Sequence, residues 1–304
     1  MKIRHVALVG AGHFGRHHLR HLTNLERVGA VTVVDKDIER ARTLAKAHGA
    51  DVATTLEGCA LDAAIIAVPT EAHFLVAAPL VARGIPVLIE KPVAATVEEA
   101  ARLNAIAQNA GTFIQVGHIE RFSAAFDALS KRCGPVRHIA ARRHNPPRAV
   151  PPTVDVVLDL MIHDIDLALA LAGAPVQTMT ATAPDGIGQE AATAQLTFMN
   201  GVVADLSASR LAPRMERNLI VHAAGGVFHA DLAQKSLLHL SGQDVIQIPT
   251  DGDRDNLKEE ISSFLDVVAR RVPPKVCGEA GLSALAVANE VRQALASVAY
   301  QLTA

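Results

Sequence analysis

The sequence predicts an α/β chain followed by an α+β part. A doubly wound parallel sheet is expected over residues 1–118, and a large open, mostly antiparallel sheet flanked by helices on one face over residues 119–304. Three observations carry this. Short apolar runs alternate with helix-length segments as far as about residue 118, the pattern of parallel strands joined by crossover helices. A glycine-rich turn links the first apolar run to the first helix. From Pro175 to about Ile248 strand-like segments follow one another, with Asn200-Gly201 as a hairpin signal between two of them.

The first strand, Val6-Ala7-Leu8-Val9, runs into Gly10-Ala11-Gly12-His13-Phe14-Gly15, and a helix is expected over Arg16–Leu25. The next strand, Ala30 to Val34, ends at Asp35, twenty positions after Gly15. This is the dinucleotide-binding pattern of a Rossmann fold. Gly10 permits the tight turn, Gly12 lets backbone approach a pyrophosphate, and Gly15 lets helix pack on strand. The N–H groups and the dipole of the helix start favour the phosphates. Asp35 suits a ribose diol and repels a 2′-phosphate, so NAD is expected before NADP, which Lys36 and Arg40 leave open. His13 and Phe14 lie in the same turn and join the cofactor candidates.

His13, His17 and His21 share a helical face, and His17 with His21 has zinc-ligand spacing. No third ligand stands nearby, so no metal is expected. A helix follows over Ile38–His48, then a short strand at Asp51-Val52-Ala53 and a buried one at Asp62–Val68. Strand C-termini line the ligand crevice of such sheets, which nominates Pro69, Thr70 and His73 as cofactor neighbours. His73 at a helix start fits local hydrogen bonding equally well. Pro86–Ile89 is a further core strand, ending in Glu90-Lys91-Pro92. A lysine there can donate to a substrate oxygen and ease loss of its proton. A helix with Thr96 as N-cap and Glu98 and Glu99 in its first turn runs to Ala110, and Thr112–Gly117 is the sixth strand.

Beyond it, His118–Phe122 leads into a helix ending near Arg132, and Val136–His144 is a strand. Asn145-Pro146-Pro147 with Pro151-Pro152 forms a stiff loop, and a helix spans about Val154–Leu171. Strands are expected at Val176–Thr182, Ala191–Phe198, Val202–Ser209, Arg217–Ala223, Gly226–Leu232 and Ser236–Leu240. Helices at Asp255–Arg271 and Gly278–Gln301 close the chain, the last of which is expected to be able to pack back on the first domain.

Composition narrows the classes. The net charge is -2 with no basic stripe, which argues against nucleic acid. Aromatic residues are 3%, with no Trp, so polar contacts must orient a ligand. Cys59, Cys133 and Cys277 are far apart and read as free thiols of a reducing compartment. The glycine turn interrupts the N-terminal apolar run, which is read as strand rather than signal peptide, and no run is long enough to span a membrane. The expectation is a cytoplasmic protein.

The helix around Asp159 carries the second set of chemical groups. Asp155, Asp159, His163 and Asp166 fall at i, i+4, i+8 and i+11, on one face, with mostly apolar residues between. A buried helix with such a face gives its polar residues a task. Carboxylates beside a histidine raise its basicity and fix its tautomer, as a general base requires. Metal ligation and a purely structural polar network are the rival readings.

Gly10–Gly15, Glu90-Lys91-Pro92, Asp159–Asp166, Ser209-Arg210 and the helix near Glu259-Glu260 together resemble the glucose–fructose oxidoreductase, inositol dehydrogenase and MocA family. The resemblance covers essentially the whole chain. It implies that Lys91, Asp159 and His163 are catalytic, that the peptide before Pro92 is cis, and that the large open sheet serves a homodimer or homotetramer. It also implies sugar-like substrates. Val116–Phe122 with Asp159–Asp166 further resembles the bacterial UDP-N-acetylglucosamine 3-dehydrogenases, which implies a nucleotide sugar oxidised on the way to lipid A. In that reading His118 and Arg121 touch the substrate, and His144 and Arg148 reach its phosphates. An inositol or free-sugar dehydrogenase is the alternative within the family. A non-catalytic dinucleotide sensor is the alternative of another class, and the intact Lys91, Asp159 and His163 argue against it.

Overall fold

A computed structural model of the chain describes residues 3–149, 154–184, 188–270 and 272–303, with side chains through residue 297. The expected Pro151-Pro152 part of the stiff loop lies outside these residues. The chain forms two compact units. Residues up to 119 join 255–282 in the first, and 120–254 join the residues from 283 onward in the second. A single cut at 118 therefore misses a return. Helix α7 (Asn256–Arg270) buries Ile261, Phe264 and Leu265 in one core with Leu8, Leu19, Leu22 and Val33. Its amphipathic pattern is legible in sequence; which core receives it is not.

The first unit holds six parallel strands: β1 (Ile3–Val9), β2 (Val28–Val34), β3 (Asp51–Ala53), β4 (Ala63–Ile66), β5 (Val87–Glu90) and β6 (Ile114–Gly117). Their order is β3-β2-β1-β4-β5-β6. Helices α1 (His13–Thr23), α2 (Ile38–His48), α3 (His73–Ala82) and α4 (Val97–Asn109) make the crossovers. β4 is buried along its whole length, as a strand covered on both faces must be. Local chemistry sets the helix starts. Asp37 accepts from the Arg40 N–H at 3.1 Å to cap α2. Thr96 accepts from Glu99 N–H at 3.1 Å, and Glu99 reaches back to Ala95 N–H at 3.2 Å, closing the start of α4. In the sheet, Val9 pairs with Ile66, Ile66 with Ile89, and Glu90 with Gly117. The residues after β1, β4, β5 and β6 thus line one edge. Strand order reverses between β1 and β4, so this edge opens at the topological switch point.

The second unit is built on an eight-stranded sheet. Its strands are β7 (Val136–His144), β8 (Val176–Thr182), β9 (Ala191–Phe198), β10 (Val203–Ser209), β11 (Glu216–Ala223), β12 (Gly226–Asp231), β13 (Ser236–Ser241) and β14 (Asp244–Ile248), in the order β14-β13-β12-β11-β7-β10-β9-β8. All neighbours are antiparallel except β7 and β10. The 244–248 strand is absent from the sequence reading because it is an exposed edge whose residues show no alternation of burial. On the inner face Ile139, Leu196, Leu206, Leu219 and Phe228 share a core with α5 (Ala124–Ser130) and α6 (Ile162–Ala172). Ala284, Ala288 and Val291 of the final helix, α8 (Gly278–Thr303), belong to the same core. The outer face is polar. Arg142, Thr193, Gln195, Asp205, Ser207 and Asn218 line a trough of about 640 Å3 there.

One charge sits inside this second core. Arg143 of β7 is 2% exposed. Its Nη1 donates to Glu120 Oε1 at 2.6 Å and its Nη2 to Asp164 Oδ1 at 2.8 Å. Burial works against the guanidinium charge, but the two carboxylates outweigh it and hold the arginine charged. Arg143→Met leaves the buried Asp164 carboxylate without its ion partner and Glu120 with Arg217 alone, at 3.5 Å. A loss of about 3–5 kcal/mol of unfolding free energy is expected at neutral pH. Burial already pushes the Asp164 carboxyl up, and without Arg143 it favours protonation further when folded, so the loss shrinks as pH falls through the carboxylate range. Urea unfolding at two pH values checks both statements.

Candidate active site

The glycines of the turn divide by what demands them. Gly10 has φ 108, and a Cβ there would stand 2.4 Å from the carbonyl oxygen of Ala67. A Cβ on Gly15 would stand 1.9 Å from the carbonyl oxygen of Gly10. Protein packing requires both. A Cβ on Gly12 would meet nothing within 4 Å, so its bareness serves approach from outside. Gly12 is also the N-cap of α1 and offers no side-chain cap, which leaves the first N–H groups of the helix to an anion. His13 and Phe14 are exposed at this end, Phe14 by 54%. Asp35 accepts from Ala11 N–H at 2.7 Å and from Asp37 N–H at 2.8 Å, which draws the end of β2 to the turn. Pro69 is exposed and Thr70 half-buried just past β4. These groups fit a dinucleotide: the α1 start for the pyrophosphate and Asp35 for the adenosine ribose.

Further along the same edge stand Glu90 and Lys91. The Lys91–Pro92 peptide is cis. His18 of α1 is fully buried, with Nε2 2.7 Å from Glu90 Oε1. Burial acts to raise the Glu90 carboxyl, but the His18 hydrogen bond and the charges of His18 and Lys91 outweigh it and hold Glu90 below the usual range. His73 is not turned to a ligand. It is 1% exposed, with Nδ1 2.9 Å from the Pro92 carbonyl and Nε2 2.9 Å from the Val68 carbonyl. Burial pushes its imidazole down, against those two carbonyls. It therefore ties the end of β4 to the residue after Lys91. His118, after β6, is buried.

In the second unit the helix around Asp159 is not one regular helix. Residues Val157–Met161 form a π-turn before α6, in which Ile162 N–H reaches back to the Val157 carbonyl. Asp155 Oδ1 accepts from the N–H groups of Val157 and Leu158 at 3.0 and 3.1 Å. The wider turn adds a residue to the register and separates the polar groups expected on one face. Asp155 pairs with Arg292 of α8 at 2.6 Å. Asp164 pairs with Arg143. Asp166, 1% exposed, takes a two-bond contact from Arg121 at 2.7 and 3.2 Å. Arg121, expected at the substrate, is thereby held by a buried carboxylate. Asp159 lies 3.5 Å from Nη1 of Arg210, and His163, half-buried, begins the next turn. A π-turn at such a place is a frequent mark of a functional site.

Two further expectations separate. His144 lies on the outer face of the sheet, with Nε2 2.9 Å from Ser207 Oγ, while the Asp159 segment packs on the inner face. The period-two alternation of a strand decides this, since Arg143 takes the inner face. Arg148 is exposed on the loop after Asn145. Sequence reasoning passed over His18, Arg210 and Arg143. Arg210 is 3% exposed and donates to Glu190, Val154 O and Gln189 O as well as facing Asp159. The Ser209-Arg210 resemblance marked its place without its partner; nothing local marked His18 or Arg143.

Residues 4–118 match the family model described as an oxidoreductase family with an NAD-binding Rossmann fold. Residues 128–229 match the GFO/IDH/MocA C-terminal domain. The chain is 33% identical to UDP-N-acetylglucosamine 3-dehydrogenase of Acidithiobacillus ferrooxidans, over 95% of its own length and 96% of that protein. A solved structure of UDP-N-acetylglucosamine 3-dehydrogenase from the same organism superposes with a TM-score of 0.91 at 31% identity, over 97% of this chain and 98% of that one. Inositol 2-dehydrogenase of Leifsonia xyli is 32% identical over 59% of this chain and 56% of that protein.

The glycines give an expected contrast. Gly12→Ala keeps the wild-type melting temperature and weakens NADH binding at least about tenfold, because its Cβ meets only the ligand. Gly15→Ala lowers the melting temperature, because its Cβ meets backbone. Thermal unfolding and NADH fluorescence titration of both variants check this.

Proposed function

The chain belongs to the GFO/IDH/MocA family of oxidoreductases, and from that premise we propose that it is an NAD-dependent dehydrogenase of a nucleotide sugar, oxidising UDP-N-acetylglucosamine at C3 for lipid A or a related cell-surface sugar. One observation carries the reading. The glycine turn after β1 and Lys91 after β5 lie along the same edge of one sheet, with only β4 between them. A dinucleotide held at that turn and an ammonium at that edge are the two things a dehydrogenase without metal needs.

Gly10, Gly12, His13, Phe14 and Gly15 hold the pyrophosphate end, Asp35 takes the ribose, and Pro69, Thr70, Glu90 and Lys91 flank the nicotinamide end. The choice of NAD over NADP rests on Asp35, whose carboxylate repels a 2′-phosphate. When bound, NAD supplies a hydride acceptor. The chain's own residues handle the oxygen. Lys91 donates a hydrogen bond to the reacting oxygen and stabilises its growing negative charge. His163 takes the hydroxyl proton, and Asp159, anchored by Arg210, orients the imidazole. His118 and Arg148 are the substrate contacts carried forward; Arg121 and His144 are not, nor is His73 as a cofactor contact. The identity to UDP-N-acetylglucosamine 3-dehydrogenase and the scarcity of aromatic residues support a substrate held by polar groups.

The same reading places the protein in the cytoplasm, which the free thiols of Cys59, Cys133 and Cys277 suit. It includes self-association through the outer face of the eight-stranded sheet, supported by the trough there, lined by polar groups and by Ala140 and Ile220. The partial identity to inositol 2-dehydrogenase favours inositol as the second substrate to try.

Lys91→Ala is expected to lower turnover by at least about 100-fold while leaving NADH affinity within about twofold. NADH absorbance with UDP-N-acetylglucosamine, inositols and free hexoses measures the first, and fluorescence titration the second. Near-normal turnover in the variant contradicts the mechanism. Silence of the wild-type protein on every sugar favours a dinucleotide sensor.

A further inference from the structure

Glu260 of α7 has no part in the scheme above. It is fully buried, and neither carboxyl oxygen has a hydrogen-bond partner among the described residues. Its backbone carbonyl accepts from Gln115 Nε2 at 3.2 Å, which fixes this turn of α7 against β6. A buried polar group without a partner calls for an explanation. The charged group that acts on it is Glu90, which ends β5, the strand paired with β6, and precedes Lys91. Burial first, and then the Glu90 charge, push the Glu260 carboxyl well above its ordinary value.

Glu90 is in the opposite condition. His18 donates to it from α1, Lys91 follows it just past β5, and His73 of α3 adds to the same field. The two carboxyls are therefore drawn apart, Glu90 toward its charged form and Glu260 toward its protonated one. Neighbouring acids driven apart in this way are the usual sign of separate roles.

We propose that Glu260 is a positioning residue for the dehydrogenase reaction, which acts through Glu90 on Lys91. Protonated, it closes the space beside Glu90 without adding charge, so that one carboxylate balances one ammonium. As pH rises far enough, its proton passes to solvent. A second negative charge then stands behind Lys91 and weakens the pull of the ammonium on the substrate oxygen. Gln115 contributes no charge, and the ionisable groups around the pair are His18, His73, Glu90 and Lys91. The inference rests on the role given to Lys91 above.

Two measurements test it. Infrared difference spectra of the wild-type protein, titrated from neutral to alkaline pH, are expected to show loss of the carbonyl band of a protonated carboxylic acid. The midpoint should coincide with the alkaline fall of kcat/KM, and the band should be missing from Glu260→Gln. In that variant the alkaline fall is expected to move upward by about one pH unit, since the amide cannot ionise. The absence of such a band overturns the proposal. So does an alkaline fall that stays in place in a Glu260→Gln protein with wild-type NADH affinity. If Glu260→Gln does not fold, a mismatch between the two wild-type midpoints overturns it instead. Failure of the wild-type protein to oxidise any sugar overturns this inference together with the dehydrogenase reading, and the infrared band, which needs no substrate, tells that failure from failure of this inference alone.

Discussion

The pairing of buried charges is the constraint on which the interior of this chain depends. Arg143 lies in the core of the second unit only because Glu120 and Asp164 meet it there. Asp166 is buried against Arg121, and Arg210 faces both Glu190 and Asp159. In the first unit Glu90 is matched by His18. An ion without such a partner costs several kcal/mol, more than a domain of this kind can spare. Asp155, Asp164 and Asp166 are each held by an arginine in this way, in the segment that also carries Asp159 and His163.

A second constraint is the edge of the parallel sheet. Register puts the ends of β1, β4, β5 and β6 in one row. The glycine turn, Val68, Lys91 and His118 follow those ends, so residues far apart in sequence come to one place. His73 reinforces the row by bridging the Val68 and Pro92 carbonyls. Its service is to hold the loop that carries Lys91. The sheet edge and the buried charges meet at Glu90, which ends β5 and is bound by a residue of the first helix.

Much of the fold was legible before any coordinates, and the reasons differ by element. Buried parallel strands are continuous apolar runs, and the glycine pattern fixes the first of them. Thr96 caps the helix that its position announces. The inner strands of the second sheet alternate visibly, whereas the exposed 244–248 edge strand buries nothing and leaves no pattern. The return of α7 to the first unit was hidden because amphipathicity names a face and not its partner. In the candidate site, Lys91 and Asp159 were nominated from type and position. The assignments of His73, Arg121 and His144 were altered by facts that sequence spacing does not hold: two backbone carbonyls, one buried carboxylate and the side of a sheet. The π-turn at Val157–Met161 likewise undid a face drawn on ideal helical spacing.

The central claim is a hydride passed from C3 of a nucleotide sugar to NAD. UDP-N-acetylglucosamine bearing deuterium at C3 tests it most directly, with the label in the reduced cofactor read by mass spectrometry. The account expects the deuterium in NADH and a sugar product lighter than the labelled substrate by that deuterium and one proton. Reduced cofactor without deuterium, or no reduced cofactor from this sugar while an inositol yields it, would contradict the claim.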